Sequence, residues 1–321
     1  MKNIALALTL LMSCLMHSTT VNAKIKYYGY DWLDYYQYSN PAFNAADALN
    51  AINNAGFSET NLNVVHSIKS LSLPVCNDGK CALNIQAGSG TSVGSPFVDI
   101  CPGAASNNAC QAVGSWVNIW KITQDIANAS NRPSAIYFID EPFDVPALQT
   151  NKTYDTYQYA SYVCTLRQAM KSYGISIPIY TVLSYRHTQI QAYLNEIQNG
   201  APTTACPAVD KSTPDWIGVD NYNWSVPDMW ETYNRVAPLA NKESPKWVLV
   251  PPSTASLGLN DEKLSAQIKL YRNFIRQYPN APIIYIMNWR FDRDVTEKRK
   301  VYLKSTSLLS CMANSTVMDL E

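Results

Sequence analysis

Asp140-Glu141-Pro142 follows directly on the apolar run Ala135-Ile136-Tyr137-Phe138-Ile139. A buried strand of that composition delivers two adjacent carboxyls to the point where it leaves the core. Burial and the charge of the neighbour raise the proton affinity of one of them, which is what a general acid working near neutrality needs. Glu141 is the expected acid, with Asp140 beside it. A plainer reading, in which Glu141 caps the following loop or pairs with Arg186 or Arg290, requires no chemistry. Asp220, closing Trp216-Ile217-Gly218-Val219-Asp220, is the expected partner carboxylate as nucleophile, base or orienting group, against the alternative of a salt-bridged structural Asp.

Other apolar runs also end in polar or aromatic residues. They supply Tyr30, Asp31 and Trp32; His66; Gln86; Tyr185, Arg186 and His187; Asn221 and Tyr222; Ser253; and Trp289, Arg290 and Asp292. Of these, Tyr30, Asp31, Trp32, His66, Gln86, Tyr185, Tyr222, Trp289, Arg290 and Asp292 are the candidate ligand-binding residues. The aromatic rings offer flat apolar faces, and the acids, amides and cations offer hydrogen bonds. Aromatic residues are more often core than platform, but Trp32 and Trp289 stand beside charged residues beyond a strand end.

Several other chemistries lack their residues. Downstream of residue 23 only His66 and His187 remain, and no His-Glu-x-x-His occurs, so no metal site is expected. No Gly-x-Ser-x-Gly elbow is present, and a Ser253-His66-Asp triad is not joined by any strand-end geometry. Gly-x-Gly-x-x-Gly is missing after the first apolar run, and Gly88-Ser89-Gly90 to Gly94 lacks a following Lys-Ser or Lys-Thr. No cofactor is expected.

The elements that must position these residues alternate. β-rich runs at Lys26–Tyr30, Asn61–His66, Ala82–Ala87, Ala135–Asp140, Ile177–Leu183, Trp216–Asp220, Trp247–Val250 and Pro282–Asn288 predict eight strands. Helical periodicity falls between them at Asn44–Asn54, Ala109–Ala129, Tyr154–Tyr173, Thr188–Asn199, Pro227–Ala240, Asp261–Tyr278 and Thr296–Leu309. Tyr159, Tyr162, Val163, Leu166 and Met170 recur every three or four residues and form an inward stripe. Asp261 and Glu262 suit a helix start, and Gly56, Gly174 and Gly200 follow helix ends. The crossover from His66 to Cys81 is too short for a full helix. Strand–helix alternation without a nucleotide-binding turn predicts an α/β fold, a single (β/α)8 TIM barrel over residues 24–321, whose strand ends and following loops form the site.

Residues 1–23 read as a secretory signal, with Lys2, an apolar run from Ile4 to Met16 and a small-residue cleavage site at Val21-Asn22-Ala23. A lipoprotein box ending at Cys14 is the rival reading. No later apolar run is long enough to span a bilayer. Seven cysteines remain after the signal. Asn77-Asp78-Gly79 turns Cys76 back to Cys81, Cys101 with Cys110 closes a second short loop, and Cys164 with Cys206 is the expected third disulfide, leaving Cys311 unpaired. Twenty-five acidic and 25 basic residues cancel without a long like-charge run. That pattern lacks the footprint of a nucleic-acid or membrane-surface binder and points to a neutral partner. Oligomeric state is not legible.

At these residues the chain resembles the superfamily of (β/α)8 glycoside hydrolases, over roughly Lys26 to Leu309. In its largest clan an Asn-Glu pair ends strand four with the Glu as acid/base, the place taken here by Asp140-Glu141. A Trp ending strand eight forms a sugar platform there, as Trp289 would. The clan's nucleophilic Glu ends strand seven, whereas this chain has Val248-Leu249-Val250-Pro251-Pro252-Ser253. Two arrangements remain open. One is similar to the hexosaminidases, where Asp140 would orient the substrate's own acetamido group, Glu141 protonate the leaving oxygen and Tyr222 assist. The other pairs Asp140 or Glu141 with Asp220, and their separation would decide between retention and inversion. The resemblance implies hydrolysis of a carbohydrate, and the signal segment implies that it takes place outside the cytoplasm. A non-catalytic carbohydrate-binding barrel and a barrel with a plugged mouth are the competing classes.

Overall fold

The computed structural model describes residues 25–31, 34, 45–53, 60–87, 97–101, 112–143, 149–150, 153–154, 158–199, 213–221, 225–240, 245–252 and 261–289. Among these residues eight parallel strands form one sheet, most of them separated by helices. The strands are β1 (Tyr27–Tyr30), β2 (Asn63–Val65), β3 (Cys81–Ile85), β4 (Ala135–Asp140), β5 (Ile179–Ser184), β6 (Trp216–Asp220), β7 (Lys246–Leu249) and β8 (Ile283–Asn288). The helices are α1 (Ala45–Asn53), α2 (Ala112–Asn128), α3 (Gln158–Ser172), α4 (His187–Asn199), α5 (Val226–Ala240) and α6 (Asp261–Gln277). The sheet order is β1-β8-β7-β6-β5-β4-β3-β2. β1 and β2, at its two ends, meet and close it into a single (β/α)8 barrel.

Backbone and side-chain groups together close that last seam. Asn61 and Leu62 donate their backbone N–H groups to Tyr28 O at 2.9 and 3.2 Å. In the other direction the amides of Tyr28 and Tyr30 donate to the Oδ1 atoms of Asn61 and Asn63, at 2.8 and 3.2 Å. Two asparagine amides thus do what strand carbonyls do elsewhere in the barrel, so buried N–H groups at the seam are satisfied.

Alternation along the strands separates two apolar layers. Tyr28, Tyr30, Val65, Leu83, Ile136, Phe138 and Ile217 belong to the layer under the helices. There they meet the α3 stripe of Tyr159, Tyr162, Val163, Leu166 and Met170, all buried as the periodicity predicts. Inside the barrel lie Leu62, Val64, Ala82, Tyr137, Tyr180, Val182, Trp216, Val248, Tyr285 and Met287. Tyr137 stacks on Tyr180 with centroids 4.8 Å apart, and Trp216 stacks on the same ring at 5.7 Å. The interior is therefore filled with side chains and is a packed core, not a pore.

Three local features differ from the sequence expectation or refine it. Between β2 and β3 the short crossover is two 3-10 turns, Ile68–Ser72 and Pro74–Gly79, fastened by the Cys76–Cys81 disulfide. α3 begins at Gln158, while Thr153–Tyr154 pairs with Gln149–Thr150 in a small antiparallel hairpin. Gly174, at φ +65°, ends α3 as predicted. Cys101 and Cys164 are also disulfide-bonded. The other halves of those bonds lie outside the described residues, as do Cys110, Cys206, Cys311, the helix over 296–309 and residues 1–24. Among the described residues no helix is long and apolar enough to cross a membrane.

Candidate active site

β4 delivers its two acids through a bulge. Tyr137 is paired with Tyr180 on β5, but Asp140 is paired with Val182, so three steps on β4 match two on β5. The extra residue is accommodated at Ile139, whose φ is +58°, and Glu141 follows with φ +44°. Both are conformations that non-glycine residues rarely adopt, least of all a β-branched one. Thr181 fixes the bulge by donating its hydroxyl to Ile139 O at 2.7 Å. Without the extra residue Ile139 would share the inward face with Tyr137. With it, Asp140 takes that face, and the Tyr137 hydroxyl donates to Asp140 Oδ1.

Burial raises the proton affinity of Asp140, and the charge of Glu141 raises it further. The Tyr137 hydrogen bond opposes the rise, Asp31 adds to it and His66 again opposes it. The result is a carboxyl pushed up from 3.8 to about 8, so it holds its proton at neutral pH. Tyr137 is itself pushed up by burial and by Asp140, and so remains a hydroxyl donor.

β1 and β2 bring a second group to the same mouth. Asp31 and Asp34 are fully buried, and His66 is 5% exposed. Asp34 accepts the backbone N–H of His66 at 3.0 Å and that of Ser67 at 3.1 Å, and lies 3.3 Å from His66 Nδ1. On the other side of the ring, His66 Nε2 is 3.7 Å from Asp31 Oδ1. Residues 97–100 cover this corner: Val98 N donates to His66 O at 2.8 Å, and Phe97 sets its ring edge-on to His66 at 6.1 Å. Burial lowers the imidazole's proton affinity, but Asp34 and then Asp31 more than reverse this, leaving His66 above its ordinary 6.5.

The structure brings Asp31, His66, Asp140 and Glu141 together. Gln86, one residue beyond β3, donates Nε2 to buried Asn84 Oδ1 at 2.6 Å, and Asn84 in turn reaches Tyr137 O at 3.4 Å. Asp220 ends β6, two strands on, with its carbonyl held by Tyr185 N at 3.0 Å. Tyr185 is exposed at the rim, and Trp289, half-buried, continues the β8 ladder through Pro251 O at 2.9 Å. Tyr30 lies on the helix side, fully buried with its hydroxyl 3.0 Å from that of Tyr28, and so faces away from the mouth. Trp32, Tyr222, Arg290 and Asp292 lie outside the described residues. Among the described residues no cluster of His, Cys, Asp and Glu has metal-binding geometry. The sequence reading missed Asp34 and Tyr137. Asp34 stands three residues beyond Asp31 in a turn with no periodic signal, and Tyr137 is hidden in a run that reads as plain core.

No known family profile matches the chain, and no curated protein is similar to it in sequence. Its fold is shared more widely. It resembles a fungal β-1,4-galactanase with a TM-score of 0.56 at 12% identity, over 83% of this chain and 89% of that one. It also resembles an endo-β-1,6-glucanase with a TM-score of 0.52 at 10% identity, over 91% of this chain and 76% of the other. The chain has the barrel fold of these (β/α)8 glycoside hydrolases.

Proposed function

We propose that this barrel hydrolyses a glycosidic bond in a polysaccharide or oligosaccharide outside the cytoplasm, with the Asp140–Glu141 pair supplying the proton that the leaving oxygen takes up. One observation carries the reading: two adjacent carboxyls stand at the end of β4, where Asp140 is held against the Tyr137 hydroxyl and burial and the charge of Glu141 raise its proton affinity. A glycosidic oxygen leaves poorly without a proton donor, and a carboxyl with an ordinary proton affinity would be ionised near neutrality. In the free protein burial and the charge of Glu141 draw the proton toward Asp140. The two carboxyls titrate as a pair. A sugar ring that displaces water from half-buried Glu141 raises that residue's own affinity for the shared proton. Glu141 is then the general acid and Asp140 the store beside it. Asp220, whose Oδ1 is buried at the end of β6, is the second carboxylate, activating water. Trp289 and Tyr185 offer ring faces to the sugar. Removal of residues 1–23 during export agrees with the disulfide at Cys76–Cys81, because such bonds persist in oxidising compartments.

The fold neighbours direct the substrate panel to β-1,4-galactan and β-1,6-glucan, with chitin-type amino-sugar polymers added for the acetamido-assisted route. On any polymer that is cleaved, Glu141→Gln is expected to lower turnover by about 10²–10⁴-fold while binding persists. Turnover unchanged by that substitution would remove Glu141 from the chemistry. A second reading, a non-catalytic carbohydrate-binding barrel, is favoured by β7, whose end at Val248, Leu249 and Val250 is buried and has no carboxylate. Glycan binding without turnover by the native chain would establish it.

A further inference from the structure

Behind the acid pair, His66 stands between two buried carboxylates, a group for which the proposed hydrolysis has no direct use. We propose that Asp34, His66 and Asp31 form a positioning relay, in which Asp34 keeps His66 as a doubly protonated imidazolium and that cation holds Asp31 and sets how firmly the Asp140–Glu141 pair keeps its proton. The proposal rests on the reading of that pair as the proton source.

Hydrogen-bond accounting gives the charge state. Asp34 is oriented by two backbone amides, of His66 and Ser67, and stands as an acceptor 3.3 Å from Nδ1. Nδ1 therefore carries a proton. Were the imidazole neutral, its other nitrogen would turn a lone pair toward Asp31 Oδ1, 3.7 Å away and fully buried. Two lone pairs facing each other in a low-dielectric corner repel, whereas a proton on Nε2 turns the contact into an attraction. Among the described residues, the charged groups acting on His66 are Asp31 and Asp34 from the segment after β1 and Asp140 from β4. Phe97, on the covering segment, does not titrate, and Asp99 of that segment accepts the Cys101 amide at 2.7 Å. Asn84 on β3 and Gln86 just beyond it are neutral. Asp140 in turn is acted on by Glu141, Tyr137, Asp31 and His66.

The relay makes a prediction that a pairwise view reverses. Removing the nearby cation by His66→Gln should let Asp140 hold its proton to higher pH. Removing the anion of Asp34 by Asp34→Asn would, by direct charge effects alone, do the opposite. Through the relay it acts in the same direction, because His66 loses the partner that keeps it charged. The readout is the carboxyl ¹³C shift of Asp140 followed across the neutral and alkaline range, which needs no turnover. It therefore stays interpretable even if no glycan is cleaved, and absent cleavage counts against the hydrolase reading alone. Both substitutions are expected to move the Asp140 titration upward by about one pH unit. A downward shift or no shift in Asp34→Asn overturns the relay. If that variant does not fold, ¹⁵N shifts of His66 in the unaltered chain decide, the signal being identified by its loss in His66→Gln. Both ring nitrogens protonated at neutral pH support the proposal, and a neutral ring overturns it.

Discussion

Asp140 is stabilised as an acid by the fold, and the fold is weakened by it in return. Its proton affinity is ordinary in the unfolded chain, near 3.8, and about 8 in the folded one. Between those values the folded state binds the proton that the unfolded state has released, so stability falls as pH rises through that window. Asp140→Asn keeps an oxygen for the Tyr137 hydroxyl and removes the ionisation. We expect the variant to melt at nearly the native temperature in acid and above it in alkali, with each recovered kcal/mol adding roughly 2–4 °C. Equal melting offsets at both ends of the pH range would show that Asp140 ionises normally. The same residue illustrates what could be read beforehand. An acidic pair after five apolar residues announces a perturbed carboxyl, but how far the Asp140 proton affinity rises depends also on Tyr137, Asp31 and His66, brought in from β4 itself and two other strand ends.

Strand and helix placement was legible where periodicity dominates, as in β4, β8 and α3, and was lost where tertiary contacts override it. No propensity predicts Ile139 at φ +58°, since a β-branched residue avoids that region. The bulge exists because pairing with β5 and the Thr181 hydroxyl fix both sides of it. The aim of Asp140, and hence the chemistry at the mouth, was therefore invisible in the sequence although its position was plain. A related asymmetry holds for two glycines. A Cβ added to Gly29 would lie 1.9 Å from Leu62 O, whereas one on Gly174 would meet nothing within 4 Å and face only the strain of its φ of +65°. Gly29→Ala should fail to give a cooperatively folded barrel, because the obstacle is the backbone of Leu62, the residue that leads into β2. Gly174→Ala should fold at a cost of about 1–2 kcal/mol, measured by denaturant unfolding. A well-folded Gly29→Ala would mean that β1 and β2 do not approach so closely.

Closure is the property of the whole molecule on which the site depends, since Asp31 and His66 are carried by the two strands that meet last. Eight alternating runs predicted the barrel, but not how its ends would join. Asn61 and Asn63 look like ordinary polar residues flanking a strand. Their role follows from what is across the seam, where Tyr28 and Tyr30 present amides that need acceptors. Asn63 is buried, and its Nδ2 also donates to Thr60 Oγ1 at 3.1 Å. Asn63→Ala leaves the buried Tyr30 amide without its acceptor, at a cost of about 1–3 kcal/mol. The loss falls on one seam, whereas the other seven strand pairs keep their ladders. Native-state hydrogen exchange should therefore show the β1 and β2 amides opening at lower free energy than those of β5 to β7 in the variant, while in the native chain both groups exchange with global unfolding. If all strands lost protection equally, the barrel would be closing as one unit, with no weak seam between Asp31 and His66.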